Sequence, residues 1–148
     1  MDLNKDNYLI TSAQYRQRLS KMRNNVYLHG KLASRDNAEF EGGKEIFGLT
    51  HDLALDPKWE GMLTATSSIS GKKINRFCHI LRSPEDMLQK IKVTRLFTHY
   101  VGRCIQRCMG VDALNGFSVA TYYIDKKYGT EYYKRFLKYL EYFEENDL

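Results

Sequence analysis

Two cysteines four residues apart, in Cys104-Ile105-Gln106-Arg107-Cys108, carry the clearest chemical potential in this 148-residue sequence. If a helix runs through them, a spacing of four sets both thiols on one face, one turn apart. Thiolates so placed suit two irons of an iron–sulfur cluster, or zinc. Cysteine is also among the most buried residue types, so the same spacing fits a pair that merely fills a core. Two ligands leave a four-ligand site half made. The third cysteine, Cys78, stands in another segment and is followed by His79. A closed zinc site from Cys78, His79, Cys104 and Cys108 matches no established zinc spacing. Gln106 and Arg107 lie between the two cysteines and would project from other helix faces, where they read as a solvated or helix-packing pair. Asn75, Arg76 and His79 form a polar cluster in an apolar setting and read as hydrogen-bonded structure. An odd number of cysteines argues against a disulfide framework.

The rest of the chain offers no second catalytic pattern: no G-x-S-x-G, no phosphate loop, no dinucleotide fingerprint and no H-E-x-x-H. Net charge is +5, with acids spread throughout. The densest basic stretch, Lys90, Lys92, Arg95, Arg103 and Arg107, is interrupted by apolar residues at helical spacing and reads as the solvated side of an amphipathic helix. Nucleic-acid binding is therefore not expected. No apolar run approaches a membrane span and the N-terminus lacks a secretory pattern, so the expectation is a soluble cytoplasmic protein with no membrane partner.

Positioning the cysteines requires helices. Thr11-Ser12-Ala13-Gln14 is a capping-box pattern, followed by Tyr15, Leu19 and Met22 at helical spacing, which predicts a helix over 12–22. Val26 to Leu32 reads as extended with a turn at Gly30 and an exposed His29. Glu41-Gly42-Gly43 reads as loop. Ile46, Leu49, Leu53 and Leu55 predict a helix stopped by Asp56-Pro57. Thr64 to Ser68 and Gly71 to Lys73 read as loop, and Ile74 to Ile80 as extended. Ser83-Pro84-Glu85-Asp86 is a strong helix start, for a helix reaching about Tyr100. A further helix is predicted over 103–128 and ended by Gly129. Thr130 would cap a last one, with Phe136, Leu137, Leu140 and Phe143 on its apolar face. The prediction is a mostly α-helical bundle.

Several segments together resemble one known family. They are Leu63-Thr64-Ala65-Thr66-Ser67, Gly71-Lys72-Lys73-Ile74-Asn75-Arg76-Phe77, Cys104 through Asn115, Ile124-Asp125-Lys126-Lys127-Tyr128-Gly129-Thr130, and Glu144-Glu145-Asn146-Asp147-Leu148. In order and spacing they resemble the N-terminal part of the 4-hydroxybutyryl-CoA dehydratase / vinylacetyl-CoA Δ-isomerase branch of the 4-hydroxyphenylacetate 3-hydroxylase family. Asn37 to Phe47, and His99, Tyr100 and Arg103 beside the cysteines, depart from that pattern.

The resemblance implies an acyl-CoA dehydrogenase-like fold, of which residues 1–148 would be the single N-terminal helical domain; the family's middle β domain and C-terminal helical domain are absent. It implies FAD and a [4Fe–4S] cluster in the complete enzyme, with Cys104 and Cys108 as two cluster ligands. A histidine and a cysteine of the missing domain would complete the set, with Gln106 near flavin and cluster. The reaction implied takes 4-hydroxybutyryl-CoA to crotonyl-CoA through α-proton removal, flavin radical chemistry at the β position and cluster-assisted loss of hydroxyl. The cysteine pair points away from the branch that hydroxylates phenols with reduced FAD and no cluster. Three readings follow. The chain is an enzyme component working with a second chain; or a truncated, non-catalytic interaction module; or the N-terminal domain of a monooxygenase-like protein. A second chain or a homo-oligomer through the tyrosine-rich last helix is the expected partner. Neither cofactor is expected to bind stably to this chain alone.

Overall fold

The computed structural model describes residues 6–102 and 105–148. Among these described residues, six α-helices are joined by two short hairpins and two 3₁₀ turns: α1 (Ser12–Ser20), β1 (Val26–Leu28), β2 (Lys31–Ala33), α2 (Glu41–Leu55), α3 (Glu60–Leu63), β3 (Thr64–Thr66), β4 (Lys73–Asn75), α4 (Pro84–Val101), α5 (Arg107–Tyr128) and α6 (Tyr132–Glu145). The mostly helical expectation holds.

Local chemistry accounts for most boundaries. Thr11 and Gln14 form the predicted reciprocal capping box at the start of α1. Helix α1 then lies close on α2: a Cβ placed on Gly48 would sit 2.9 Å from the Ser12 Cβ. One turn further along α2, the Asp52 carboxylate accepts from Ser12 N at 2.8 Å and from Ser12 Oγ at 2.6 Å. β1 and β2 pair antiparallel, Val26 opposite Ala33, around a turn in which His29 and Gly30 both have positive φ (48° and 78°), the geometry of a tight hairpin. Ser83 caps α4 through Asp86 N, with Pro84 at its first position.

Four expectations need correction. Gly42-Gly43 is not loop but the first turn of α2. Asn37 caps the 3₁₀ turn Ala38–Phe40, which delivers Glu41 already in helical φ/ψ, so the glycines continue a helix that is under way. Thr64–Thr66 is not loop but β3, paired with β4 through Thr64–Asn75 and Thr66–Lys73. The extended segment begun by β4 gives way to a 3₁₀ turn over Arg76–Cys78, capped by Asn75. And α6 is not capped by Thr130. The Asp125 carboxylate, at the end of α5, accepts from Tyr132 N and Tyr133 N at 2.8 Å each and from Thr130 Oγ1 at 2.6 Å.

The main core gathers Ala54 of α2, Leu63 of α3, Phe77, Val93 and Phe97 of α4, Ile105 and Val111. A second cluster joins Ile80 and Leu114 to Phe136 and Leu140 of α6, flanked by Leu137 and Phe143 as the periodicity requires. Among the described residues no helix is long and apolar enough to cross a membrane.

Candidate functional site

The segment between the cysteines is not one helix. Helix α5 begins only at Arg107. Gln106 just before it sits at φ 64°, ψ −38°, and Arg107 N donates to Ile105 O at 2.7 Å. This is a γ-turn of the rare positive-φ kind, strained for a residue with a Cβ. The helix predicted over 103–128 therefore starts only at Arg107, and a spacing of four does not set the two thiols on one helical face. Cys108 lies in the first turn of α5 and is half-buried. Cys104, the other proposed ligand, lies outside the described residues, as does Arg103.

Arg107 overturns the expectation of a solvated residue: its side chain is 3% exposed. Lys92 and Arg95, in the same basic stretch, are exposed as expected. One guanidinium nitrogen of Arg107 donates to Asp147 Oδ1 at 2.7 Å and to the Leu148 oxygen at 2.8 Å. The other donates to Thr50 Oγ1 at 2.8 Å. The guanidinium carbon lies 5.4 Å from the centre of the Phe77 ring. The second Asp147 oxygen meets His51 Nδ1 at 2.9 Å, and both of those side chains are 1% exposed. Asn75 Nδ2 donates to Thr50 O at 3.1 Å. The first turn of α5, the middle of α2, the Asn75–Phe77 turn and residues 147–148 thus meet at one sealed corner.

Its charges are balanced. Burial opposes the Asp147 carboxylate, but Arg107 and His51 more than offset this and hold its pKa down at about 2. Burial pushes the His51 pKa below its ordinary value, against the pull of Asp147. His51 is therefore neutral near pH 7 and donates its Nδ1 proton to the ionised carboxylate. One cation and one anion remain, each hydrogen-bonded, which is the condition for tolerating buried charge. Cys78 borders this corner with 0% exposure, its Sγ 3.8 Å from Asp147 Oδ1. Burial and Asp147 raise its pKa, so it stays an inert thiol.

His79 pairs with Asp86 at 3.3 Å, and the Arg76 guanidinium donates to Met62 O and Thr64 O. The Asn75–Arg76–His79 cluster is thus hydrogen-bonded structure, as expected. Among the described residues no group of three His, Cys, Asp or Glu side chains could hold a metal ion. The Arg107–Asp147–His51 network escaped the sequence reading because its members lie 40 and 96 residues apart. The one local clue was an arginine beside a candidate ligand.

Beyond this corner the surface carries exposed apolar side chains among charged ones. From the middle of α5 onward, Phe117, Val119, Tyr123 and Tyr128 are each more than half exposed, and Tyr142 adds to this on α6.

The sequence profile of the 4-hydroxyphenylacetate 3-hydroxylase N-terminal family matches residues 11–148. The chain is 39% identical over 142 residues to a 4-hydroxybutyryl-CoA dehydratase/vinylacetyl-CoA-Δ-isomerase of Clostridium aminobutyricum, covering 95% of this chain and 29% of that protein. A solved structure of an oxygen-tolerant archaeal 4-hydroxybutyryl-CoA dehydratase from N. maritimus superposes with a TM-score of 0.88 at 36% identity, over 93% of this chain and 28% of that one. The chain spans less than a third of the length of either relative. A match that runs through the hairpins, the Gln106 turn and the sealed corner alike makes the assignment: this chain belongs to the 4-hydroxyphenylacetate 3-hydroxylase N-terminal family.

Proposed function

We propose that this chain supplies the N-terminal helical part of a flavin- and [4Fe–4S]-dependent enzyme of the 4-hydroxybutyryl-CoA dehydratase / vinylacetyl-CoA isomerase kind, with Cys104 and Cys108 as two cluster ligands and Gln106 close to the flavin. The observation that carries the reading is 39% identity to the clostridial dehydratase across 95% of the chain. This favours the dehydratase branch over the phenol-hydroxylating one.

The described half of the ligand pair fits a cluster. Cys108 is partly accessible and stands in the first turn of a 22-residue helix, where the helix dipole favours a thiolate. Cys78, sealed and protonated, does not fit. On this reading the remaining ligands come from the part of the enzyme that this chain does not span. When bound, such a cluster supplies an electrophilic iron for a leaving hydroxyl, and FAD supplies a one-electron carrier. The chain's own contribution is to present Cys108 and Gln106 from a turn fixed by the sealed corner. The apolar side chains exposed on α5 are the natural seat of a partner, either a second chain carrying the other domains or another copy.

The test is an anaerobic pull-down of the chain from its own cell, with iron, sulfide and flavin assayed on what is recovered. A partner chain bearing flavin and iron, with the iron lost in Cys108→Ser, supports the proposal. A recovered complex with flavin but no iron points to a monooxygenase-like assembly. A colourless chain with no partner points to a non-catalytic module.

A further inference from the structure

The Gln106 turn and the Arg107 anchor are adjacent in sequence and opposed in energy. Gln106 occupies a backbone conformation that residues with a Cβ avoid, and such a conformation persists only where surrounding structure holds it. The residue that follows is the most heavily tethered side chain near the turn. Arg107 donates to Thr50, Asp147 and the Leu148 oxygen at 2.7–2.8 Å and lies over Phe77. Behind Asp147, His51 holds the carboxylate that receives the guanidinium. Ile105, on the other side of the turn, is 1% exposed in the main core. The chain is thus fixed at residues 105 and 107, and Gln106 must bridge them.

We propose that Arg107 is a positioning residue: its clamp holds the Gln106 turn in the strained form and thereby sets where Cys108 enters α5. The consequence for a cluster rests on Cys108 being a ligand, as argued above. The clamp itself does not. Lysine cannot replace arginine here, because one ammonium cannot reach Thr50 on one side and Asp147 with Leu148 on the other as the planar fork does.

A double-mutant cycle on the 148-residue chain tests the coupling. Gln106→Gly relieves the strain and raises Tm by roughly 2–4 °C in the wild-type background. In the Arg107→Lys background the turn has already relaxed, so the same change leaves Tm unmoved. An equal rise in both backgrounds, or no rise in either, overturns the proposal. Alkylation by iodoacetamide, mapped by mass spectrometry, gives a second readout. Arg107→Lys raises the Cys108 rate several-fold while Cys78 stays protected. A rise at both cysteines means general opening and also overturns it. Should Arg107→Lys fail to fold, Thr50→Val removes one arm of the clamp and must give the same pattern in weaker form. Iron content of the native complex carrying Cys108→Ser tests the ligand assignment separately, so a failure of either idea is visible without the other.

Discussion

The two ends of α5 differ in almost every physical respect. At its start, Arg107 is sealed from solvent with Asp147 and His51, and its bonds reach across 40 and 57 residues of sequence. Toward its other end the helix contacts α6 through Tyr122 and Tyr133, rings 5.7 Å apart, and turns Tyr123 and Tyr128 outward, 62% and 66% exposed. One end uses polar groups to fix geometry where water is excluded. The other keeps apolar groups where water reaches them, an arrangement suited to a surface that is covered in an assembly. The candidate ligand Cys108 belongs to the fixed end, so the fold spends its rigidity where positioning matters to chemistry.

The largest expected effect that sharpens this contrast is at Asp147. Asp147→Asn leaves Arg107 buried without its counter-charge and lowers stability by about 3 kcal/mol; urea unfolding measures it. A loss below about 1 kcal/mol would mean that water reaches the corner, and the comparison breaks.

Acid provides the next effect. The Asp147 pKa is depressed from 3.8 to about 2 in the folded protein, so the unfolded chain binds more protons, and stability falls as pH drops through that window by about 2 kcal/mol. His51 is depressed from 6.5. For a basic group this has the same sign, because the unfolded chain takes up the proton first, so the decline begins below pH 6.5. Chemical denaturation at a series of pH values follows both phases, and Asp147→Asn removes the lower one.

The smallest effect belongs to the exposed end. Tyr123→Ser changes the stability of the chain by no more than about 0.5 kcal/mol. It should nonetheless weaken the association of the chain in sedimentation. A wild-type chain that sediments as a monomer at all concentrations would remove the argument that this face is covered.

Much of the scaffold was legible because its causes are local. The Thr11 capping box, the Ser83-Pro84 start, the Asp56-Pro57 stop and the Gly129 end each depend on residues within one turn of each other. The apolar face of α6 was legible for the same reason. What stayed hidden depends on distance or on the preceding backbone. Gly42-Gly43 is helical because a 3₁₀ turn leads into it. Arg107 is buried because an aspartate 40 residues later receives it. The break between the cysteines is invisible in residue types alone, since glutamine gives no signal for positive φ. The candidate ligand Cys108 was readable as chemistry, but the geometry presenting it was not.

The Asp125 carboxylate, which receives the first N–H groups of α6 from across the turn, also has a kinetic consequence. Its contacts span only seven and eight residues, so closing them costs little chain entropy, and the α5–α6 hairpin can assemble before distant segments meet. The sealed corner, whose His51–Asp147 contact closes 96 residues, must wait. In stopped-flow measurements Asp125→Ala should therefore slow refolding, whereas Asp147→Asn should chiefly speed unfolding: the hairpin sets how fast the domain forms and the corner how long it lasts.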